Sequence, residues 1–514
     1  MCATLVFSLV TSGCDQSVWG WTGLTTPPPV VAVSAYPATV DRGEPTTIGW
    51  SASNANDCVA SGAWAGARPT SGSEAKTLDS PAVLTMTCTG RGGSAAQSAS
   101  VAIGSPESPS IFPLHTEPGK RYLVDRQGRP FFIHGDTPWS LVTQPTREQA
   151  ERYLEDRSKK GFNALLIELI ESHFSAHAPK NVYGEGPFTV RGDFSTPNEA
   201  YFAHAEFIVS RAAAHGMLVM FTPDYMGYEG GNEGWYQTIA RNGPEKMRSY
   251  GRYLANRFRA YDNIMWVQGG DYDPPEKLLV RALADGIRDI DTRWLQTYHG
   301  GRGTAALQFF GTSESWLTTN TIYTNERTIV ASALREYARS TMPFFLIESR
   351  YEGEGATAAM IRGQVYQTAL SGGVGFMTGD KPLWNFDAGW EAALDTPGMP
   401  SLEHFRAFVA SIPWWTLEPD AEQLLLRDGI GSGLTRAAAA KTRDGSLAIV
   451  YTPTGQPVTV DLQQLASGNV TARWFDPASG AYVGPSEGVE KSAHVFTPPR
   501  RDTDEDWVLV LRAE

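Results

Sequence analysis

Ile264-Met265-Trp266-Val267-Gln268-Gly269-Gly270-Asp271 is a short apolar run that closes on two glycines and a carboxylate. Its length and its β-branched and aromatic content read as a strand with Asp271 at the C-terminal end. Working outward, the chain alternates such runs with helical stretches. Upstream lie Phe131-Phe132-Ile133-His134-Gly135-Asp136, Ala164-Leu165-Leu166-Ile167-Glu168 and Met217-Leu218-Val219-Met220-Phe221, with expected helices over Thr146–Lys160, Asn198–His215 and Pro244–Tyr261. Downstream lie a helix over Pro275–Asp289 and the runs Trp294-Leu295-Gln296-Thr297-Tyr298-His299, Thr321-Ile322-Tyr323, Phe344-Phe345-Leu346-Ile347-Glu348 and Val374-Gly375-Phe376-Met377. Eight such units in roughly 260 residues match the size of a (β/α)8 barrel, which delivers the C-terminal ends of all its strands to one active face. A doubly wound open sheet would need a Gly-rich phosphate loop after its first strand, and His134-Gly135-Asp136-Thr137-Pro138-Trp139 is not one.

The flanks have a different character. The 514 residues exceed one ordinary domain. We divide them into a signal and linker over 1–29, a β-sandwich over 30–104, a linker over 105–117, the barrel over 118–415 and a C-terminal β-sandwich over 416–514. Met1 to Gly13 is an apolar run ending in small residues before Cys14. It resembles a bacterial lipoprotein signal, in which Cys14 is lipidated, although Thr11 stands where Leu is usual and no basic residue precedes the run. A plain secretory signal or an unrelated apolar tail are the other readings. Elsewhere no apolar run is long enough to span a bilayer. Trp50 precedes Cys58, and Cys88 sits on a late strand, an arrangement that resembles bacterial immunoglobulin-like modules. The thirty-residue spacing of Cys58 and Cys88 suits a disulfide and so an oxidising compartment: the cell envelope, periplasmic or outer-surface, or the medium.

Composition narrows the partners. A net charge of −13 argues against nucleic acid, which requires clustered Lys and Arg. The four cysteines form no C-x-x-C or Cys/His cluster, so neither metal nor cofactor is expected. The many aromatic residues, Trp 15, Tyr 19 and Phe 22, suit stacking on sugar rings and equally suit a large core.

Two acids end the fourth and seventh runs, Asp271 and Glu348. Glycoside hydrolysis needs a protonated acid on the leaving oxygen and a second carboxylate facing the anomeric carbon. Strands four and seven lie across a barrel mouth, so Asp271 is the candidate acid/base and Glu348 the candidate nucleophile. Glu352 is the rival nucleophile. Softer substrate-binding roles fall to Asp136, as a bidentate partner of sugar hydroxyls, and to Trp139, Glu168, His173, Asp224, Tyr225, His299, Tyr323, Tyr351 and Trp384. Among these, His299, Tyr323 and Tyr351 are candidates to orient the nucleophile, and Trp384 and Trp390 to stack a sugar.

His134–Trp139, Trp266–Asp271 and Glu348-Ser349-Arg350-Tyr351-Glu352-Gly353 resemble the signature stretches of apiosidase-like glycoside hydrolases, family 140 and its wider set. The tail, with Trp474-Phe475-Asp476-Pro477-Ala478-Ser479-Gly480 and Asp506-Trp507-Val508-Leu509-Val510-Leu511, resembles the collagen-binding-type β domain that follows those barrels, a label not carried into function. The resemblance covers about residues 118 to 512. It implies a retaining glycosidase acting on terminal furanosides or related pentoses of a plant or microbial cell-wall polysaccharide. Asp271 follows two glycines where wider-clan barrels carry Glu after Asn, and Gly379-Asp380-Lys381-Pro382-Leu383-Trp384 departs from the usual stretch after strand eight, so the substrate stays open. An endo-acting β-glycanase and a non-catalytic glycan-binding surface protein are the alternatives. A protease is not, because no Ser/His/Asp order or His-Glu-x-x-His is present.

Overall fold

The computed structural model describes residues 27–40, 45–78, 80–103, 110–499 and 505–513. Cys14, the rest of the expected signal and Ser105–Pro109 of the expected linker lie outside them. The chain divides into two compact units, Met1–Pro109 and Ser110–Glu514.

In the first unit, strands Val30–Tyr36, Pro45–Ser53 and Ser71–Thr77 form one sheet. Thr39–Val40, Gly93–Ile103, Ala82–Gly90, Asp57–Gly62 and Gly66–Arg68 form another. Alternating burial along Pro45–Ser53 and Ala82–Gly90 places Ile48, Trp50, Leu84 and Met86 in a shared core. The Cys58–Cys88 disulfide is present, between directly opposed residues of neighbouring strands. An immunoglobulin bridge joins two sheets. This one staples a single sheet.

The second unit opens on Phe112 and Leu114, both buried in the barrel core, so the chain enters that domain before residue 118. Eight parallel strands follow: β1 (Ile133–Asp136), β2 (Ala164–Glu168), β3 (Leu218–Thr222), β4 (Ile264–Gly269), β5 (Leu295–His299), β6 (Asn320–Tyr323), β7 (Phe344–Glu348) and β8 (Gly375–Thr378). Their order, β5-β4-β3-β2-β1-β8-β7-β6, is the chain order closed on itself. At the seam between β5 and β6 threonine hydroxyls span the gap: Thr297 Oγ1 donates to the Thr319 carbonyl and Thr321 Oγ1 to that of Tyr298, each at 2.6 Å. Strands such as β2 and β3 are buried along their whole length because side chains point alternately into the barrel and against the helices. That is why they read as continuous apolar runs rather than alternating ones.

The helices are α1 (Arg147–Lys159), α2 (Glu199–Ala214), α3 (Tyr236–Arg257), α4 (Lys277–Arg288), α5 (Ala306–Phe310), α6 (Ile329–Arg339), α7 (Ala358–Leu370) and α8 (Met399–Ala410). Thr146 and Gln149 start α1 with a reciprocal capping box. Helix α3 begins earlier than the Pro244 expected from sequence. A turn from Tyr236 runs into it across a kink at Gly243, φ 74°, which relieves the clash that Pro244 imposes on the residue before it. The first strand is shorter than expected, because Phe131 pairs instead with Leu123 in a small antiparallel sheet.

The tail forms a six-stranded antiparallel sheet centred on Leu447–Thr452 and Trp507–Ala513, and a three-stranded sheet facing it. It packs on the barrel through α7 and α8. Tyr366 stacks on Tyr451 at 5.1 Å, Phe408 meets Phe475 at 4.9 Å, and buried Arg362 grips buried Asp506 at 2.6 Å. No helix among the described residues is long and apolar enough to cross a membrane.

Candidate active site

The last residues of β4 and the turn after it decide where the first acid points. Gly269, Gly270 and Asp271 all have positive φ, 84°, 132° and 51°. A Cβ on Gly269 would stand 2.4 Å from the Tyr298 ring, and one on Gly270 2.3 Å from the Tyr225 ring, so only glycine fits. Buried Asp224, two residues past β3, accepts the Gly269 N–H at 3.3 Å and holds the turn. Burial pushes the Asp224 carboxyl up to about 7, with the Gly269 N–H opposing. Asp271, a non-glycine residue in a sparsely populated backbone region, is thereby aimed into the barrel mouth. Tyr225 donates to Asp271 Oδ2 at 2.9 Å, and Oδ1 has no hydrogen-bond partner among the described residues. Gly270→Ala would press on the ring that orients Asp271. We expect kcat/KM to fall at least about tenfold and the melting temperature to drop, since both φ and the contact are unfavourable; wild-type kinetics would contradict this.

Glu348 ends β7 and meets His299, which ends β5. His299 Nε2 lies 2.9 Å from Glu348 Oε2, and its Nδ1 lies 3.1 Å from the Gly300 carbonyl and 3.3 Å from the Asp271 nitrogen. The imidazole is fully buried and so works between the two acids rather than on a ligand. Burial disfavours its charge, but the hydrogen bond and charge of Glu348, with the charge of Asp271, outweigh this and raise its pKa. Burial raises the Glu348 carboxyl above the usual range, the Asp271 charge adds to it, and His299 and Arg302 oppose. One oxygen of each carboxylate and a ring nitrogen of His299 lie within 4.8 Å of one another.

Around this pair opens a cleft of roughly 130 Å³, walled by Trp139, Phe174, Tyr225, Tyr351 and Trp384, with Glu168 and Glu233. Trp139 Nε1 donates to the Tyr351 hydroxyl at 3.1 Å, and Trp384 Nε1 to Glu354 at 3.0 Å. A roomier cleft of about 650 Å³ lies far from the acids, between Tyr122, Tyr337 and Trp415. Its Glu418 is neutralised by Arg443 at 2.8 Å, so size alone does not make it the chemical centre.

The structure gathers Asp271, Glu348, Trp139, Glu168, Tyr225, Tyr351 and Trp384 at one mouth. It corrects other assignments. Asp136 is buried and accepts from Tyr153 at 2.7 Å and from Arg157 Nε, which ties α1 to the barrel and leaves it no sugar to bind. Glu352 is buried, accepting from Thr396 and the Gly398 N–H at the start of α8, and is not the nucleophile's rival. Asp224 serves the glycine turn rather than a ligand. His173 is exposed, and its neighbour Phe174 reaches the cleft instead. The Tyr323 hydroxyl accepts from Arg302 at 2.9 Å and that of Tyr351 from Trp139 at 3.1 Å, and among the described residues neither bonds Glu348, whose side-chain partner is His299. Trp390 packs on Phe386 inside the fold. Sequence reasoning missed Arg302, Phe174, Glu233, Glu354 and Asp273. The last accepts from Tyr298, Gly301 and Thr304 and ties the loop after β4 to that after β5. None of these ends a strand, which was the signal followed.

The profile of the family described as "Apiosidase-like, catalytic domain" matches residues 117–416, more than half of the chain. The chain belongs to the apiosidase-like family of glycosidases. Its residues 419–512 match the family described as "Putative collagen-binding domain of a collagenase". Among solved structures, a glycoside hydrolase is 23% identical with a TM-score of 0.69, covering 79% of this chain and 98% of its own. A glycoside hydrolase family 5 protein from Bacteroides vulgatus ATCC 8482 is 21% identical with a TM-score of 0.68, covering 78% and 93%. Both share the fold of this apiosidase-like chain. Comparison with curated proteins gave no match.

Proposed function

We propose that this apiosidase-like chain is a retaining, exo-acting glycosidase that removes a terminal furanoside or related pentose from a plant or microbial cell-wall glycan. The observation that carries the reading is the approach of Asp271 and Glu348 oxygens to within 4.8 Å. Inverting enzymes separate their carboxyl groups by about 6.5–9.5 Å to admit a water, whereas retaining ones hold them at about 5–5.5 Å. A non-catalytic glycan binder would have no need of that convergence.

In the first step Glu348 Oε1, which has no hydrogen bond among the described residues, attacks the anomeric carbon while His299 holds Oε2. The bond to the leaving oxygen breaks, and that oxygen takes the proton of Asp271, carried on the unpartnered Oδ1. In the second step Asp271 takes a proton from water, whose oxygen displaces Glu348 and restores both groups. The small aromatic-walled cleft supports a single terminal sugar over a long bound chain. The disulfide supports action in the cell envelope or outside the cell, with Cys14 lipidation as the proposed anchor.

Turnover on a panel of aryl furanosides, aryl pyranosides and pectic fragments, with the first-formed anomer read by proton NMR, tests this. Retention with release of single sugars is expected. Inversion would overturn the mechanism, and early release of internal fragments would favour an endo-acting β-glycanase.

A further inference from the structure

Glu168 ends β2 and lines the same cleft as Asp271 and Glu348, yet its carboxyl makes no hydrogen bond among the described residues. It is 1% exposed, and its Oε2 is sealed from solvent without a partner. Its backbone is held at the mouth by the Glu168 N–H, which donates to the Trp139 carbonyl at 3.0 Å. The groups acting on it are the carboxylates of Glu171 and Asp271, and it in turn acts on the phenols of Tyr201 and Tyr225. No cation faces it. Glu171 has its own partners, accepting from Thr143 at 2.5 Å and from the Ser175 N–H, so it offers Glu168 nothing.

A buried polar group without a partner is rare and costly unless something else completes it. Resting on the glycosidase reading above, we propose that Glu168 is a neutral carboxylic acid that meets the bound sugar through Oε1, the oxygen that is not sealed off, and donates its O–H to a sugar oxygen. A carboxylate could only accept. The neutral acid supplies a donor that a carboxylate lacks, and every sugar oxygen can accept it. Desolvation, with Glu171 and Asp271 as like charges, holds its pKa well above the ordinary carboxylate range, in keeping with that role. Neutrality also spares the mouth one more negative charge beside Glu348. Glu168 is therefore a positioning and specificity residue, distinct from the two acids that exchange protons and bonds.

Two arms test this. The first needs no substrate: the infrared difference between wild type and Glu168→Gln at pH 7. A protonated-carboxyl C=O band lost in the variant is expected; a carboxylate band in its place would overturn the proposal. The second uses an aryl glycoside that the wild type hydrolyses. Glu168→Ala should lower kcat/KM by about 10- to 100-fold with an unchanged melting temperature, the loss expected for an unmet buried hydrogen bond. Glu168→Gln, which keeps a donor and an acceptor, should recover most of that loss and remove any alkaline decline that arises from Glu168 ionising. A loss in Gln equal to that in Ala would overturn the proposal. If no glycoside is turned over, the glycosidase reading fails while the infrared arm still decides the state of Glu168.

Discussion

Glu348→Gln and Asp271→Asn each lose turnover by roughly 10³-fold or more on the natural glycan, with melting temperatures close to wild type. Gln cannot attack the anomeric carbon, and Asn has no proton for the leaving oxygen. Both keep the shape and hydrogen-bonding reach that face His299 and Tyr225, so the fold has no reason to suffer. On an activated aryl glycoside the two should separate. A good leaving group needs little protonation, so Asp271→Asn retains part of its first step, whereas Glu348→Gln stays dead. In the wild type kcat/KM should fall on acidification at a pH above the ordinary carboxylate range. Glu348 must be ionised to attack, and burial beside Asp271 raises the pH at which it ionises. Full activity of either variant on both substrates would sink the assignment.

Asp506→Ala costs about 3–5 kcal/mol of stability, read as a fall of several degrees in melting temperature. Both Asp506 oxygens are engaged. Arg362 Nε and Nη2 donate to them at 2.6–2.9 Å, and Tyr451 donates to Oδ2 at 3.0 Å. Removing the acid strands a guanidinium buried between α7 and the C-terminal sheet, with Ser401 as its remaining side-chain partner. Activity measured at low temperature should survive, because the pair lies away from the cleft. An unchanged melting temperature would show that the β domain contributes little to holding the barrel.

Asp136, Glu168, Asp224, Asp271 and Glu348 all end, or closely follow, apolar strand runs, and one-dimensional patterning treats them alike. Arg157 reaches Asp136 from one helical segment away, and Gly398 caps Glu352 from 46 residues on. Such partners are invisible to spacing, so structural acids passed for ligand-binding ones. His173 and Phe174 differ by one position, but loop geometry rather than strand alternation selects which enters the cleft. The helix break at Gly243-Pro244 was legible as a boundary, yet the turn before it formed because tertiary packing outweighs local preference.

Local pattern by itself determined the eight strands, the acid that ends β7, and the glycines that let Asp271 follow β4. Strand length, burial on both faces and backbone freedom are written in residue type and spacing. Tertiary structure alone decided which carboxyls are paired and which are left bare. Pairing depends on the side chain that arrives from a distant segment, and so does protonation. A buried acid beside Arg157 is tied into the fold, whereas Glu168, on which the charges of Glu171 and Asp271 act, is left facing the cleft.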